Sequence, residues 1–371
     1  SLGRMTRKSP VGAFESFGNS RFISIGGWIN AIIPILIVPY YSVIGGWVIK
    51  YLIEYFAGHS KTLAGDAYFT TFISNGWSTE ICFIIFTLFT LGIIYAGVRN
   101  GIERVSKFMM PILIVLSLII AVYSVTRPGA IEGVKYFLVP NFDHFSWMTV
   151  VSAMGQMFYS LSIAMGILIT FGSYMKKDTS IEKSTENVEI FDTAIAIMAG
   201  LMIIPAVFAF SGGNAETLKS GPALMFITIP KVFANMGFGT AIGVVFFLLV
   251  LFAAVTSSIA LTESAVSTFE DELHWSRKKS TVFMGMVMLL LGTLSCLGYG
   301  PLANFKILGM QFLDFFDFIT NSVMMPIAAI ATCLLVSKVV GVDKIEEEIK
   351  KDGQAFRRKK IFCFMIKYLC P

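Results

Sequence analysis

Charge is scarce in this sequence. Only 14% of its 371 residues are Asp, Glu, Lys or Arg, where a soluble domain carries about 25%. With 55% of the chain hydrophobic, an ordinary water-soluble globule is excluded. Histidine is scarcer still. His59, His144 and His274 lie singly near segment ends, so no catalytic or metal-binding cluster is in view. The five cysteines (Cys82, Cys296, Cys333, Cys363, Cys370) are scattered without disulfide or metal spacing and read as small, inert hydrophobes. No nucleophile–base pair is visible, so a membrane enzyme is the least supported class. The opening Ser1-Leu2-Gly3-Arg4 lacks the charged-then-apolar pattern of a signal peptide. The chain starts abruptly and stops at Lys367-Tyr368-Leu369-Cys370-Pro371, just inside another apolar run. That predicts a fragment cut at both ends.

What is present is long apolar runs. Segments long enough to cross a bilayer occur at 27–56, 80–98, 108–126, 147–175, 184–210, 238–267, 281–299 and 313–337. They predict one all-α integral membrane domain over 1–371 with eight complete spanning helices. The loops alternate in basic content. Of the 29 Lys and Arg, only Lys50, Lys61, Arg127, Lys135, Lys219, Lys231 and Lys306 fall on one side. The other side is then cytoplasmic by the positive-inside rule, and both termini with it, in the plasma membrane. The net charge of +5 is therefore a topology signal and implies no nucleic-acid partner. The apolar stretch Leu224–Val232 is too short to span and is expected to pack over the outer mouth. Asp343–Lys351 is expected to be a short surface helix with i,i+4 Glu–Lys pairs.

The central stretch is Gly155-Gln156-Met157-Phe158-Tyr159-Ser160-Leu161-Ser162-Ile163-Ala164-Met165-Gly166. It places four polar side chains and two glycines in the middle of a spanning run. Inside a membrane, irregular backbone survives only where protein or a water-filled cavity satisfies it. The patch therefore suggests a broken helix whose freed backbone groups hold a ligand. The plainer reading is a continuous helix with serines bonded back to their own carbonyls.

Ionisable residues inside spans are functional candidates by default. Asp192 and Asp317 are flanked by apolar residues. For Glu263 and Asp314 a position near water or beside a basic neighbour is the simpler reading, and Asp271 marks the polar end of its helix. In Ala253-Ala254-Val255-Thr256-Ser257-Ser258, hydroxyls follow small residues. That suits either helix–helix packing or the oxygen ligation a small hard cation wants. Tyr41, near mid-helix after Pro39-Tyr40, is placed to offer a phenol to an anion.

Together these stretches resemble the neurotransmitter:sodium symporter family, in particular its bacterial amino-acid transporters. The resemblance covers nearly the whole chain, as that family's third to tenth helices with the end of the second and start of the eleventh. Its combination of Gly155-Gln-x-Phe-x-Ser-Leu-Ser-x-x-x-Gly166 with Thr256-Ser257-Ser258-Ile259-Ala260 is highly specific. Ser173-Tyr174-x-Lys176-Lys177-Asp178 and Phe269-Glu270-Asp271-Glu272-Leu273 strengthen it. The resemblance implies an inverted-repeat transporter fold with broken helices.

It also implies site roles. Tyr41, Tyr159, Ser160, Ser162, Met165, Ser257 and Leu261 would bind substrate. Ser160 and Asp192 would serve one sodium site, and Ala253 (carbonyl), Thr256 and Ser257 a second. Gln156 and Asp317 would gate the outer side, Asp271 near Tyr174 the inner. Three departures stand out. Tyr159 replaces the usual phenylalanine, Asp192 stands where many members have asparagine, and the family's first helix, with the remaining ion ligands and the basic partner of Asp317, is missing.

The reading is Na⁺-coupled symport of a neutral, hydrophobic or aromatic amino acid, without chloride, since Asp192 carries the negative charge itself. Whether the chain forms a homo-oligomer stays open. The rival from another class is a non-transporting truncated membrane module that only packs with a partner chain.

Overall fold

The computed structural model describes residues 1–18, 20–143, 145–213, 221–351, 353 and 356–369. His144, Asn214, Lys219 and Cys370 lie outside them. Short helices α1 (Leu2–Thr6) and α2 (Pro10–Glu15) lead into α3 (Arg21–Phe56), and α4 (Gly76–Tyr95) and α5 (Val98–Val125) follow. The central stretch is α6 (Trp147–Ser160) and α7 (Ile167–Tyr174). Then come α8 (Ile181–Ser211), the short α9 (Leu224–Ala234), α10 (Gly239–Glu272), α11 (Arg277–Leu297), α12 (Phe312–Val340) and α13 (Val342–Lys350). Seven of these are long and apolar enough to cross a membrane. Several overrun the expected limits. α5 begins at Val98 rather than 108 because hydropathy marks the bilayer, whereas Arg99, Arg104 and Lys107 continue the helix into water.

α3 is the axis. Ser20 caps it, accepting from the Ile23 amide at 3.3 Å. Its 36 residues measure about 54 Å, well beyond the roughly 30 Å hydrocarbon core. It packs against α4, α10, α11 and α12. Small residues allow this closeness: a Cβ on Gly46 would lie 2.7 Å from the Phe83 amide of α4, which is the way membrane helices approach without a hydrophobic drive. From the next residue onward, Trp47, Tyr51 and Tyr55, spaced four apart, are buried on one face. Phe226 of α9 and Phe69 stack there at 5.2 Å, and the Tyr51 hydroxyl donates to the Phe226 carbonyl at 2.7 Å. Residues 224–234 are thus a helix sealed into an aromatic cluster.

At the basic end, α13 is fastened rather than free. Ile345 and Ile349 are buried with Leu2, Phe14 and Leu335. The fully buried Arg4 donates to Glu348 at 2.6 Å and to the Thr179 carbonyl at 2.5 Å. Glu346–Lys350 is the expected i,i+4 pair, at 2.7 Å.

Candidate functional site

The run read as one span, 147–175, is interrupted. α6 ends at Ser160, and Ser162 (φ 53°), Ala164 (φ 62°) and Gly166 (φ 70°) adopt left-handed conformations before α7 starts. Non-glycine residues there are strained, and such strain gathers at functional sites. Among the described residues, no backbone amide donates to a carbonyl from Ser160 to Met165. Those oxygens remain available. Gly166 is required twice: by its φ, and because a Cβ would meet Pro10 at 2.7 Å and the Asn30 carbonyl at 2.9 Å. α7 is held in place by Thr170, within 3.3 Å of the Ser264 and Ser267 hydroxyls of α10.

Beside the break lies a cavity of about 430 Å³. α3 contributes Ile37 and Tyr41 to its wall. The broken helix contributes Gln156, Tyr159, Ser160, Ser162 and Met165, and α10 contributes Thr256, Ser257 and Leu261. All seven residues expected at the substrate are therefore brought together. The lining has no Asp, Glu, Lys, Arg or His.

The cation candidates fall into two groups. The Ser160 hydroxyl donates to Asp192 Oδ1 at 2.5 Å, joining the break to α8 across 32 residues. Asp192, Ala253, Thr256 and Ser257 line a second cavity of about 650 Å³, which shares Thr256 and Ser257 with the first. The Thr256 hydroxyl donates to the Ala253 carbonyl at 3.0 Å, so its lone pairs stay open. Hydroxyl, carboxylate and unpaired carbonyl oxygens are the donor set a small hard cation takes.

The gating residues separate. Asp317 accepts from the Tyr40 hydroxyl at 3.2 Å and from Asn321 Nδ2 at 2.6 Å, and has no cationic partner among the described residues. It sits just before a stretch of wider, π-type turns, Phe318–Met324, a feature frequent at functional sites. Gln156 is in the cavity wall instead.

At the basic end the expected neighbours differ. Tyr174 donates to Glu263 Oε1 at 2.6 Å, not to Asp271. Glu263 is fully buried, and Arg277 grips both its oxygens at 3.1 and 2.6 Å. Glu263 thus has the basic neighbour its simpler reading required. Asp271 instead accepts from the Ser9 amide at 2.5 Å. Two turns of α10 separate Glu263 from Asp271, and the Tyr174 hydroxyl bonds Glu263, the one farther from the end of the helix. Tyr40, Asn321 and Arg277 were missed in the sequence. The doubled tyrosine and the i,i+4 spacing of Asp317 and Asn321 were the available signals, while nothing local marks Arg277.

The profile of the sodium:neurotransmitter symporter family matches residues 70–371. The chain belongs to this family. An uncharacterized sodium-dependent transporter of Bacillus subtilis is 32% identical over 357 residues, covering 95% of this chain and 78% of the relative. The crystal structure of MhsT in complex with L-phenylalanine superposes with TM-score 0.87 at 32% identity, covering 100% of this chain and 84% of MhsT. A sodium- and chloride-dependent GABA transporter of Drosophila melanogaster is 23% identical, covering 95% of this chain and 42% of the relative. Membership makes the chain a sodium-coupled membrane transporter and not an enzyme. The break between α6 and α7 thus belongs to the all-α transporter fold shared with MhsT.

Proposed function

We propose that the protein carries a neutral amino acid with an apolar or aromatic side chain, together with Na⁺, by alternating access. The observation that carries this reading is the composition of the 430 Å³ cavity: the hydroxyls of Tyr41, Tyr159, Ser160, Ser162, Thr256 and Ser257, apolar surface from Ile37, Met165 and Leu261, and no charged side chain. Its volume lies in the range of small-ligand pockets. Such a lining suits a zwitterion whose own side chain is uncharged. Tyr41 would donate to the substrate carboxylate, and Tyr159, Met165 and Leu261 would face the side chain, with Ser162 at the break. MhsT, which holds L-phenylalanine, supports an aromatic substrate.

Ser160, Asp192 and the unpaired carbonyls of 160–165 would hold one Na⁺, and Ala253, Thr256 and Ser257 a second. A substrate carboxylate that shares the first ion couples the two ligands, because each raises the other's affinity by the same factor. Asp192 supplies negative charge beside that ion, so chloride is not required. The basic side of the bundle faces the cytoplasm, with Asp317 at the outer gate, Gln156 in the cavity wall, and Tyr174 and Asp271 at the inner end.

Binding of radiolabelled L-phenylalanine to purified protein tests the reading. Saturable binding in Na⁺ that falls at least about tenfold in K⁺ is expected. Equal binding in K⁺, or none in Na⁺, would favour the non-transporting module.

A further inference from the structure

The first turn of α11 carries Arg277, Lys278 and Lys279 after the cap Ser276. Cations are unfavourable at a helix N-terminus, where the macrodipole is positive, so local helix stability does not explain them. Arg277 is neutralised by Glu263. Lys278 and Lys279 form no ion pair among the described residues. Both are instead held over aromatic rings: Lys279 Nζ is 4.1 Å from the Trp275 ring centroid and Lys278 Nζ 5.6 Å from that of Tyr95. Trp275 is itself fixed edge-on against Phe283 at 5.3 Å. Two uncompensated ammonium groups are thus presented from a rigid aromatic wall.

Below them the surface is apolar. Tyr95, Trp275, Lys278, Lys279, Val282 and Met286 border a groove of about 430 Å³ between α4 and α11. Val282, Met286 and Leu290, four residues apart, are 58%, 51% and 70% exposed and extend the groove about 12 Å into the spanning part of α11. A cationic rim with aromatic walls over an outward-facing hydrocarbon track matches one amphiphile. Aromatic rings settle at the membrane–water interface, and clustered lysines there attract anionic headgroups.

We propose that this groove binds an anionic phospholipid, with its phosphate between Lys278 and Lys279 and one acyl chain along Val282, Met286 and Leu290. The apolar floor distinguishes it from a site for a free anion, which would leave that track uncovered.

Native mass spectrometry of the delipidated protein in nonionic detergent tests this, with equimolar phosphatidylglycerol and phosphatidylcholine of matched chains. Lys278→Gln with Lys279→Gln is expected to reduce retained phosphatidylglycerol at least about tenfold and leave phosphatidylcholine unchanged. Trp275→Leu, which keeps both charges, is expected to give a smaller loss. Lys338→Gln with Lys344→Gln removes the same charge elsewhere at the same end and is expected to change nothing. All four lysines are exposed, and unchanged elution and helicity confirm folding. The proposal is overturned if the Lys278/Lys279 variant retains phosphatidylglycerol like the wild type. It is equally overturned if the Lys338/Lys344 variant loses as much, or if millimolar inorganic phosphate displaces the lipid.

Discussion

Replacing Asp192 by Asn keeps its shape and removes one negative charge beside Ser160. The Ser160 hydroxyl lies 2.5 Å from Asp192 Oδ1, so an ion bound to the Ser160 oxygen sits within roughly 4–5 Å of the carboxylate. Opposite unit charges at that range attract by about 4 kcal/mol at an effective dielectric constant of 20. Asp192 is only half-buried, and solvent screening halves the figure to about 2 kcal/mol. Half-saturating Na⁺ should therefore rise roughly 30-fold in Asp192→Asn. The assay is a Na⁺ titration of radiolabelled L-phenylalanine binding, run in chloride and in gluconate. The wild type is expected to give one curve in both salts, and Asp192→Asn to recover part of its Na⁺ affinity only in chloride. A wild type that loses binding in gluconate would falsify the argument, and so would an unshifted Na⁺ curve in the variant.

Tyr41→Phe removes a hydrogen bond to a charged group, worth about 1.5–3 kcal/mol, and is expected to weaken substrate binding at least tenfold. An affinity within twofold would leave Tyr41 a packing residue. Arg277→Met strands the fully buried Glu263 and should destabilise the protein by about 3–5 kcal/mol, read as a lower thermal midpoint in detergent. Adding Glu263→Gln should restore most of it, and a double variant as unstable as the single would contradict the pairing. Burial alone would raise the Glu348 carboxyl, but Lys351 and then Arg4 outweigh it, holding it below the ordinary 4.5. Folding then depresses this group, so its contribution is full above 4.5 and disappears as pH falls through the folded value. Hydrogen exchange across α13, corrected for intrinsic pH dependence, should rise in acid for the wild type. Glu348→Gln should abolish that acid response, and an unchanged response would detach it from Glu348.

The spans were legible because charge avoids hydrocarbon. The break was legible because Gln156, Ser160, Ser162 and Gly166 have no business in a plain anchor. Helix ends were less so, since α5 and α11 extend through Arg99 and Arg277 into water, where hydropathy is silent. The joining of Ser160 to Asp192 crosses two helices and could be anticipated only through family resemblance. Glu263 and Asp271 lie on the same helix eight residues apart, and pattern cannot say which one Tyr174 reaches. That choice depends on how far α7 is drawn toward α10, which Gly166 and Thr170 decide. Tyr40 was overlooked beside Tyr41 because consecutive helical positions face different neighbours: one lines the cavity, the other meets Asp317.

The interruption at 161–166 also constrains how the chain can be made. The 14 residues of α6 and the eight of α7 reach only about 21 Å and 12 Å, so neither half spans hydrocarbon alone. A translocating chain that released this segment sideways into lipid would expose the unpaired carbonyls of Ser160–Met165, each at a cost of several kcal/mol. The segment is therefore a poor candidate for stepwise partitioning into the bilayer. It must wait in a protein-lined or hydrated setting until Ser264 of α10, 94 residues later in the chain, arrives to pair with Thr170. Substitutions that slow the emergence or docking of α10 should thus lower the yield of inserted protein, even where they leave the finished cavity untouched.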